Sequence, residues 1–494
     1  MLIKIVNFII QIIFWYGLIL MILYILFAIS SQRVIRKYRR RTRYVNFYKL
    51  SESKYAPYIS IIAPAYNESA TVVDNVKSLL HLHYVNYEVV LVNDGSTDDT
   101  LEKLIREFSL VRVNFFFDYK LPTKPVRGIY KSTINAYKNL IVIDKENGGK
   151  SDALNAGINL CSHDLIICMD TDSLVEHDAL IRMIKPFLEQ RDKKIIASGG
   201  VIRIANQCEV VEGRLVKVQM PKKGLAFYQL LEYLRAFLLG RVTWAEWDGL
   251  LLISGAFGMF DKPTVIAAGG YSTNTVGEDL ELVVRMRRFL RKKKVRYYVG
   301  FIPDPLCWTE VPSTARVFFR QRSRWTRGTI ETIRDHIGLF FNPRYKVMGL
   351  FSFPYWVFYE WLAPIVELTG IIVTLILILL NRINWPFFLL LFLSCYFFAL
   401  IFTTFSVLTD MKYFRIYKEK TTIRRLLYYI FTEPLFYHPM VVLAGIKGNI
   451  DFLLGRRSWG RMTRKGFVKE GQASENSYAQ PVTAAPRGFY DTRR

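Results

Sequence analysis

The sequence predicts an α/β protein in which a parallel, doubly wound sheet is joined to membrane-spanning and interfacial helices. Three observations carry this. Two apolar segments, Tyr58 to Pro64 and Tyr87 to Asn93, run straight into polar residues (AYNES and DGSTDDT), with helical periodicity between and after them. A third segment, Leu165 to Ser173 (LIICMDTDS), reads as a buried strand that ends in two carboxylates, Asp170 and Asp172. Long apolar runs lie outside this alternating region, one before it and two after it.

The 494 residues suffice for a large soluble domain plus these extra elements. Aromatics make up 15%, and 67 Lys and Arg against 42 Asp and Glu give a formal charge of +25. Such a charge suits nucleic acid, a polyanion or an anionic membrane surface. The apolar runs favour the membrane, and no nucleic-acid-binding motif is recognisable. The five cysteines are scattered without CxxC or metal spacing, so neither a disulfide framework nor a zinc site is indicated and a reduced, cytosol-facing domain is expected.

Residues 8 to 30 form an apolar run broken by Gln11, long enough to span a bilayer and too long for a signal-peptide core. Arg33, Arg36, Lys37, Arg39, Arg40, Arg41 and Arg43 follow it. The positive-inside rule then places residues 44 to 345 in the cytoplasm, behind an N-terminal unit of residues 1–43.

Within that domain each strand delivers polar residues to one sheet edge. Tyr66 offers a stacking face, and Asn67, Glu68 and Asp94 offer acceptors for a base or ribose; a helix cap made by Asp94 or Ser96 is the plain alternative. The segment Lys145 to Gly157 (KENGGKSDALNAG) has a Gly-Gly turn for close backbone approach and Lys150 to meet a diphosphate. It lacks Walker spacing. Asp170 and Asp172 stand two apart, so in an extended chain both face one hard cation such as Mg2+ or Mn2+ at the carboxyl end of a strand; an Asp-Thr-Asp turn is the alternative.

Ile195 to Ala205 reads as a further strand. Gly224 to Arg241 reads either as an amphipathic helix at the membrane surface or as an ordinary core helix. Ser254 to Phe260 (SGAFGMF) is small and turn-prone, suited to close approach of a sugar. Gly277-Glu278-Asp279 opens a helix, where carboxylates are favoured by the dipole alone. Further on, Gln321, Arg324 and Trp325 fall at i, i+3 and i+4 on one helix face, able to grip a pyrophosphate and stack on a sugar. Arg316, Arg320, Arg322 and Arg327 on the same helix are expected to meet lipid headgroups.

Residues 357 to 380 and 385 to 409 are two more expected spans, within a C-terminal membrane region of residues 346–447. Glu360 and Glu367 face protein or a polar path, or else mark an interfacial helix start. Leu426 to Ile446, which contains Glu433, Pro434, His438 and Pro439, is a kinked span or a re-entrant hairpin, so the spans number three or four. Residues 448–494 are expected to be basic and then, beyond Glu470, disordered.

The motifs PAYNE, VNDGSTDDT, GGKSDALNAG and MDTD, followed by PDPLCWTEVP and QRSRW, resemble the family 2 inverting glycosyltransferases over roughly residues 55 to 330. With its apolar runs the chain is similar to the processive synthases of chitin, hyaluronan, cellulose and above all poly-N-acetylglucosamine. The resemblance implies a GT-A fold and a multi-pass protein of the cell membrane with its catalytic domain in the cytoplasm. It further implies a metal-dependent enzyme that extends an exopolysaccharide from a UDP-sugar and moves the polymer across the bilayer. UDP-N-acetylglucosamine is the expected donor and UDP-glucose the second choice. By the same resemblance Asp94 contacts the nucleotide, Asp170 and Asp172 hold the metal and diphosphate, Lys150 lies near the donor, and SGAFGMF lies at the acceptor site. Asp279 falls on the "TED" motif as general base, with Gly277 in place of Thr, and Gln321, Arg324 and Trp325 line the acceptor end. The competing readings are a single-addition transferase acting on a lipid carrier, and a non-catalytic sugar-binding membrane subunit. Intact Asp170, Asp172 and Asp279 weigh against the latter.

Overall fold

A computed structural model describes residues 2–189, 192–211, 214–417 and 422–456. The expected basic and disordered tail lies almost wholly outside the described residues. Strands β1 (Ile59–Ala65), β2 (Tyr87–Asn93), β3 (Leu110–Val113), β4 (Val126–Ser132), β5 (Leu140–Lys145), β6 (Leu165–Cys168), β7 (Leu174–Val175) and β8 (Lys194–Ile204) come first. β9 (Glu209–Val211) and β10 (Arg214–Lys217) form a separate ribbon, and β11 (Gly258–Asp261) and β12 (Tyr297–Thr309) complete the main sheet. Its order is β3-β4-β5-β2-β1-β6-β11-β8-β12-β7.

The centre is parallel, as alternating apolar strands and crossover helices dictate: β5, β2, β1 and β6 run together. Their apolar residues are buried, Ile59, Ile61, Ile62, Val89 and Val90 completely. The parallel sheet expected from sequence is mixed outside this centre: β4 runs antiparallel to β3 and β5, β7 to β12, and β11 to both β6 and β8. For β11 the reason is where the chain enters. Gly258 pairs with Cys168 at the carboxyl end of β6, so the Ser254–Phe257 loop arrives beside Asp170 and the strand must run back from there.

The helices that matter for the site are α1 (Leu2–Thr42), α2 (Lys150–Leu160), α3 (Gly224–Leu234), α4 (Glu278–Lys292), α5 (Ala315–Asp335), α6 (Ala363–Leu379), α7 (Trp385–Tyr413) and α8 (His438–Leu453). α2 lies hard against the sheet because Gly157 has no Cβ; one there would collide with Ile62. α3 continues through a π-helical stretch, Arg235–Arg241, and buries Phe227, Leu230, Leu231, Phe237 and Leu238. It therefore packs as a core helix.

Among the described residues two helical segments, Phe8–Thr42 and Trp385–Tyr413, are long and apolar enough to cross a membrane, and a third span results if Met348–Trp361 and α6, bent by 46°, count as one. The span expected from 357 is thus broken near Glu360, which is exposed, while Glu367 accepts from His438 Nε2 at 2.6 Å. Leu426 to Ile446, expected as a kinked span or a re-entrant hairpin, is interrupted: a helix over Thr422–Thr432 passes through a π turn, Glu433–Tyr437, into α8. Buried charges dock the apolar helices onto the sheet domain. Arg203 of β8 pairs with Asp410 of α7, Arg235 Nη2 meets Glu433 at 2.6 Å, and Tyr38 of α1 donates to Asp304 at 2.7 Å. Breaking one partner of a fully buried pair such as Arg203–Asp410 typically costs ~3–5 kcal/mol.

Candidate active site

The carboxyl edge of β1, β2 and β6 brings the sequence-predicted residues together. At β2, Asp94 is buried and its carboxylate accepts from Lys145 Nζ at 2.7 Å and from Gly148 and Gly149 N–H at 3.0 and 2.8 Å. A carboxylate has about four lone-pair sites, so these three bonds leave about one for a ligand. The expected nucleotide contact is therefore largely turned inward, toward holding the Gly-Gly turn. Gly149 sits at φ +86, a left-handed conformation open to glycine, and this lets α2 start with Lys150 facing the edge. Lys145, 0% exposed, also meets Asp152 at 2.6 Å; sequence reasoning passed it over, although a Lys closing an apolar strand was the available signal. Tyr66, 49% exposed, lies just beyond β1, and Glu68 lies on the same loop, its N–H bonded to Thr100 Oγ1 at 3.0 Å.

Beyond β6 the chain does not stay extended. Ser173 N–H returns to Asp170 C=O at 3.1 Å, so Asp170 and Asp172 leave the sheet on a turn, which Thr171 anchors through its hydroxyl to Pro64 C=O. Lys150 Nζ lies 2.7 Å from Asp170 and 3.0 Å from Glu278, the first residue of α4. Burial works against its charge, but Asp170 and Glu278 more than offset that and hold the ammonium above its ordinary pKa. Among the described residues no group of three or more His, Cys, Asp or Glu could hold an ion. Two carboxylates on one turn nonetheless fit Mg2+ or Mn2+, which take oxygen ligands and complete their shell with water and substrate phosphates.

Asp279 Oδ2 accepts Gly255 N–H at 3.0 Å and Oδ1 accepts Leu280 N–H at 2.9 Å. Gly255 belongs to the small-residue loop beside β6, and a Cβ there would stand 2.9 Å from Lys150 Nζ. The turn, the ammonium and the two α4 carboxylates thus share one space. Burial first, and then neighbouring Glu278, push the Asp279 pKa up, against the opposing pull of Lys150.

On α5 the Gln321, Arg324 and Trp325 face is the less buried one; Trp325 is 39% exposed, and Gln321 Oε1 is buried without a hydrogen-bond partner among the described residues. Two of the four arginines expected at lipid headgroups point the other way. Arg322 grips Glu232 of α3 through 2.5 and 2.6 Å bonds and lies over the Trp325 ring at 4.4 Å, and Arg327 is buried against the Arg456 carbonyl. Burial would raise the Glu232 pKa, yet Arg322 and the Tyr437 hydroxyl hold it below the ordinary carboxylate value. A lone Glu inside the apolar run of α3 was the signal for such a partner.

Residues 165–410 match the glycosyl transferase family group 2 description and residues 60–116 match glycosyl transferase family 2, together more than half of the chain. The chain is 30% identical over 293 residues to the poly-beta-1,6-N-acetyl-D-glucosamine synthase of Staphylococcus aureus strain COL, covering 58% of this chain and 59% of that one. The synthase of the same name from Staphylococcus epidermidis is 29% identical, covering 57% of each. The chain thus spans under two thirds of the length of these curated relatives. Among solved structures it is similar in fold to a mannosyltransferase from Pyrobaculum calidifontis, solved with GDP-Man and Mn2+, at a TM-score of 0.50 and 16% identity, covering 89% of this chain and 100% of that one.

Proposed function

Since this chain belongs to glycosyltransferase family 2 and carries the GT-A type of sheet, we propose that it transfers N-acetylglucosamine from UDP-N-acetylglucosamine to a growing exopolysaccharide, with inversion at the anomeric carbon. The observation that supports this is the Lys150 bridge, which links the Asp170 turn to Glu278, the residue beside Asp279. The relatives' product favours N-acetylglucosamine over glucose.

In this reading Tyr66 stacks on the base, with Glu68 and the remaining site on Asp94 accepting from the nucleoside. Asp170 and Asp172 would hold a divalent ion, which supplies positive charge for the diphosphate leaving group. Asp279 takes the proton of the acceptor hydroxyl as that oxygen attacks from the face opposite the nucleotide. Gln321, Arg324 and Trp325 hold the acceptor end of the polymer. The seven basic residues from Arg33 to Arg43 put the catalytic domain on the cytoplasmic side of the cell membrane, and the attached spans receive the product. The test is purified protein in lipid offered a panel of UDP-sugars, with linkage analysis of the product. Incorporation from UDP-N-acetylglucosamine above all other donors is expected; a single sugar added to a lipid carrier would overturn the polymer reading.

A further inference from the structure

The loop that presents Glu278 and Asp279 is held from behind by α5, the helix that carries the acceptor-end residues. Glu331 Oε2 accepts Thr275 Oγ1–H at 2.8 Å and Val276 N–H at 2.9 Å, and Thr275 Oγ1 in turn accepts Gly277 N–H at 3.1 Å. One carboxylate oxygen therefore ties down the three residues before α4. One turn earlier on α5, Gly328 meets Gly277 backbone to backbone. A Cβ on Gly277 would stand 2.8 Å from Gly328 Cα, and a Cβ on Gly328 would stand 2.6 Å from Gly277 Cα, closer than packed atoms allow. A third tie joins His336 Nε2 to Glu281 Oε1 in the first turn of α4 at 3.2 Å. Gly277, where the related motif carries threonine, is thus the residue this close approach requires.

We infer that Glu331 is a positioning residue for the reaction. Through Thr275 and Val276 it fixes Asp279 in register with Gln321, Arg324 and Trp325, so that the base and the bound acceptor form one rigid unit. The inference rests on the proposed reading of Asp279 as the base. A shift of about 1 Å in such a pair can cost about 10²-fold in rate, while the nucleotide contacts proposed at Tyr66, Glu68 and Asp94 stand on other elements.

The test compares kcat, KM for UDP-N-acetylglucosamine and UDP affinity in full-length protein in lipid for Glu331→Ala, Glu331→Gln and Thr275→Val. Glu331→Ala is expected to lose about 10–10²-fold in kcat with KM and UDP affinity unchanged. Glu331→Gln, whose amide oxygen can still accept both bonds, recovers most of the loss. Thr275→Val cuts the link to Gly277 with little change in volume and lowers kcat alone; it carries the test should the alanine variant fail to fold. Wild-type kcat in Glu331→Ala or in Thr275→Val overturns the inference, as does an equal loss in the alanine and glutamine variants or a parallel loss of UDP binding. Full turnover by Asp279→Asn would instead overturn the base reading beneath it, so the two failures are told apart.

Discussion

A carboxylate serves as a base only when it is ionised, and it serves better the more basic it is. Asp279 meets both demands through its surroundings. Two N–H groups, from Gly255 and Leu280, stabilise the anion, while burial and Glu278 raise its pKa. The sign follows directly: the basic form is present above the raised pKa and is lost as pH falls through it. The acid limb of kcat/KM is therefore expected above the ordinary Asp value of about 3.9. A limb at or below that value would remove Asp279 from the role. Asp170 and Asp172 stand out in the sequence as carboxylates closing an apolar strand, whereas Asp279 opens a helix, where the dipole alone favours a carboxylate, and only the resemblance to the family motif singles it out. Their partners were not legible. The second contact of Lys150, Glu278, lies far along the chain, and nothing local to either residue encodes it.

At the scale of elements, α5 shows how one helix divides its work. Gln321, Arg324 and Trp325 share a face by their spacing of three and four, which the sequence displays. Arg322 and Arg327 look equally basic there, yet they are buried, because Glu232 and Arg456 come from elements 90 and 129 residues away. Helical periodicity says which residues share a face, and not what that face meets. The Trp325 ring is backed by the Arg322 guanidinium at 4.4 Å, and in the proposed reading its other face is the one that meets the sugar. Trp325→Ala is expected to shorten the polymer sharply while UDP affinity persists, read by product sizing beside a UDP titration. Unchanged product length and rate would leave the motif serving only the membrane surface.

Across the whole molecule, the parallel centre of the sheet was readable from apolar strands that end in polar turns. The antiparallel β11 was not, since strand direction depends on where the chain enters and apolar pattern is blind to it. The membrane helices were legible by length and composition, and Glu433 and Pro434 marked an interruption where the π turn Glu433–Tyr437 lies, but the break before α6 was blurred because apolar residues continue on both sides of it. What these elements build together is one body: α1 and α7 are fastened by buried polar contacts to the domain whose carboxyl edge gathers Asp170, Asp172, Lys150 and Asp279. The most direct measurement is incorporation of labelled N-acetylglucosamine into polymer by membranes carrying the wild-type chain, Asp170→Asn, Asp172→Asn or Asp279→Asn, with UDP affinity measured on each protein. The wild type is expected to make chelator-sensitive polymer, and each variant to lose turnover, by ~10²–10⁴-fold for Asp279→Asn with UDP affinity kept. Polymer made at the wild-type rate by Asp279→Asn, or by both other variants in the presence of chelator, would contradict the account.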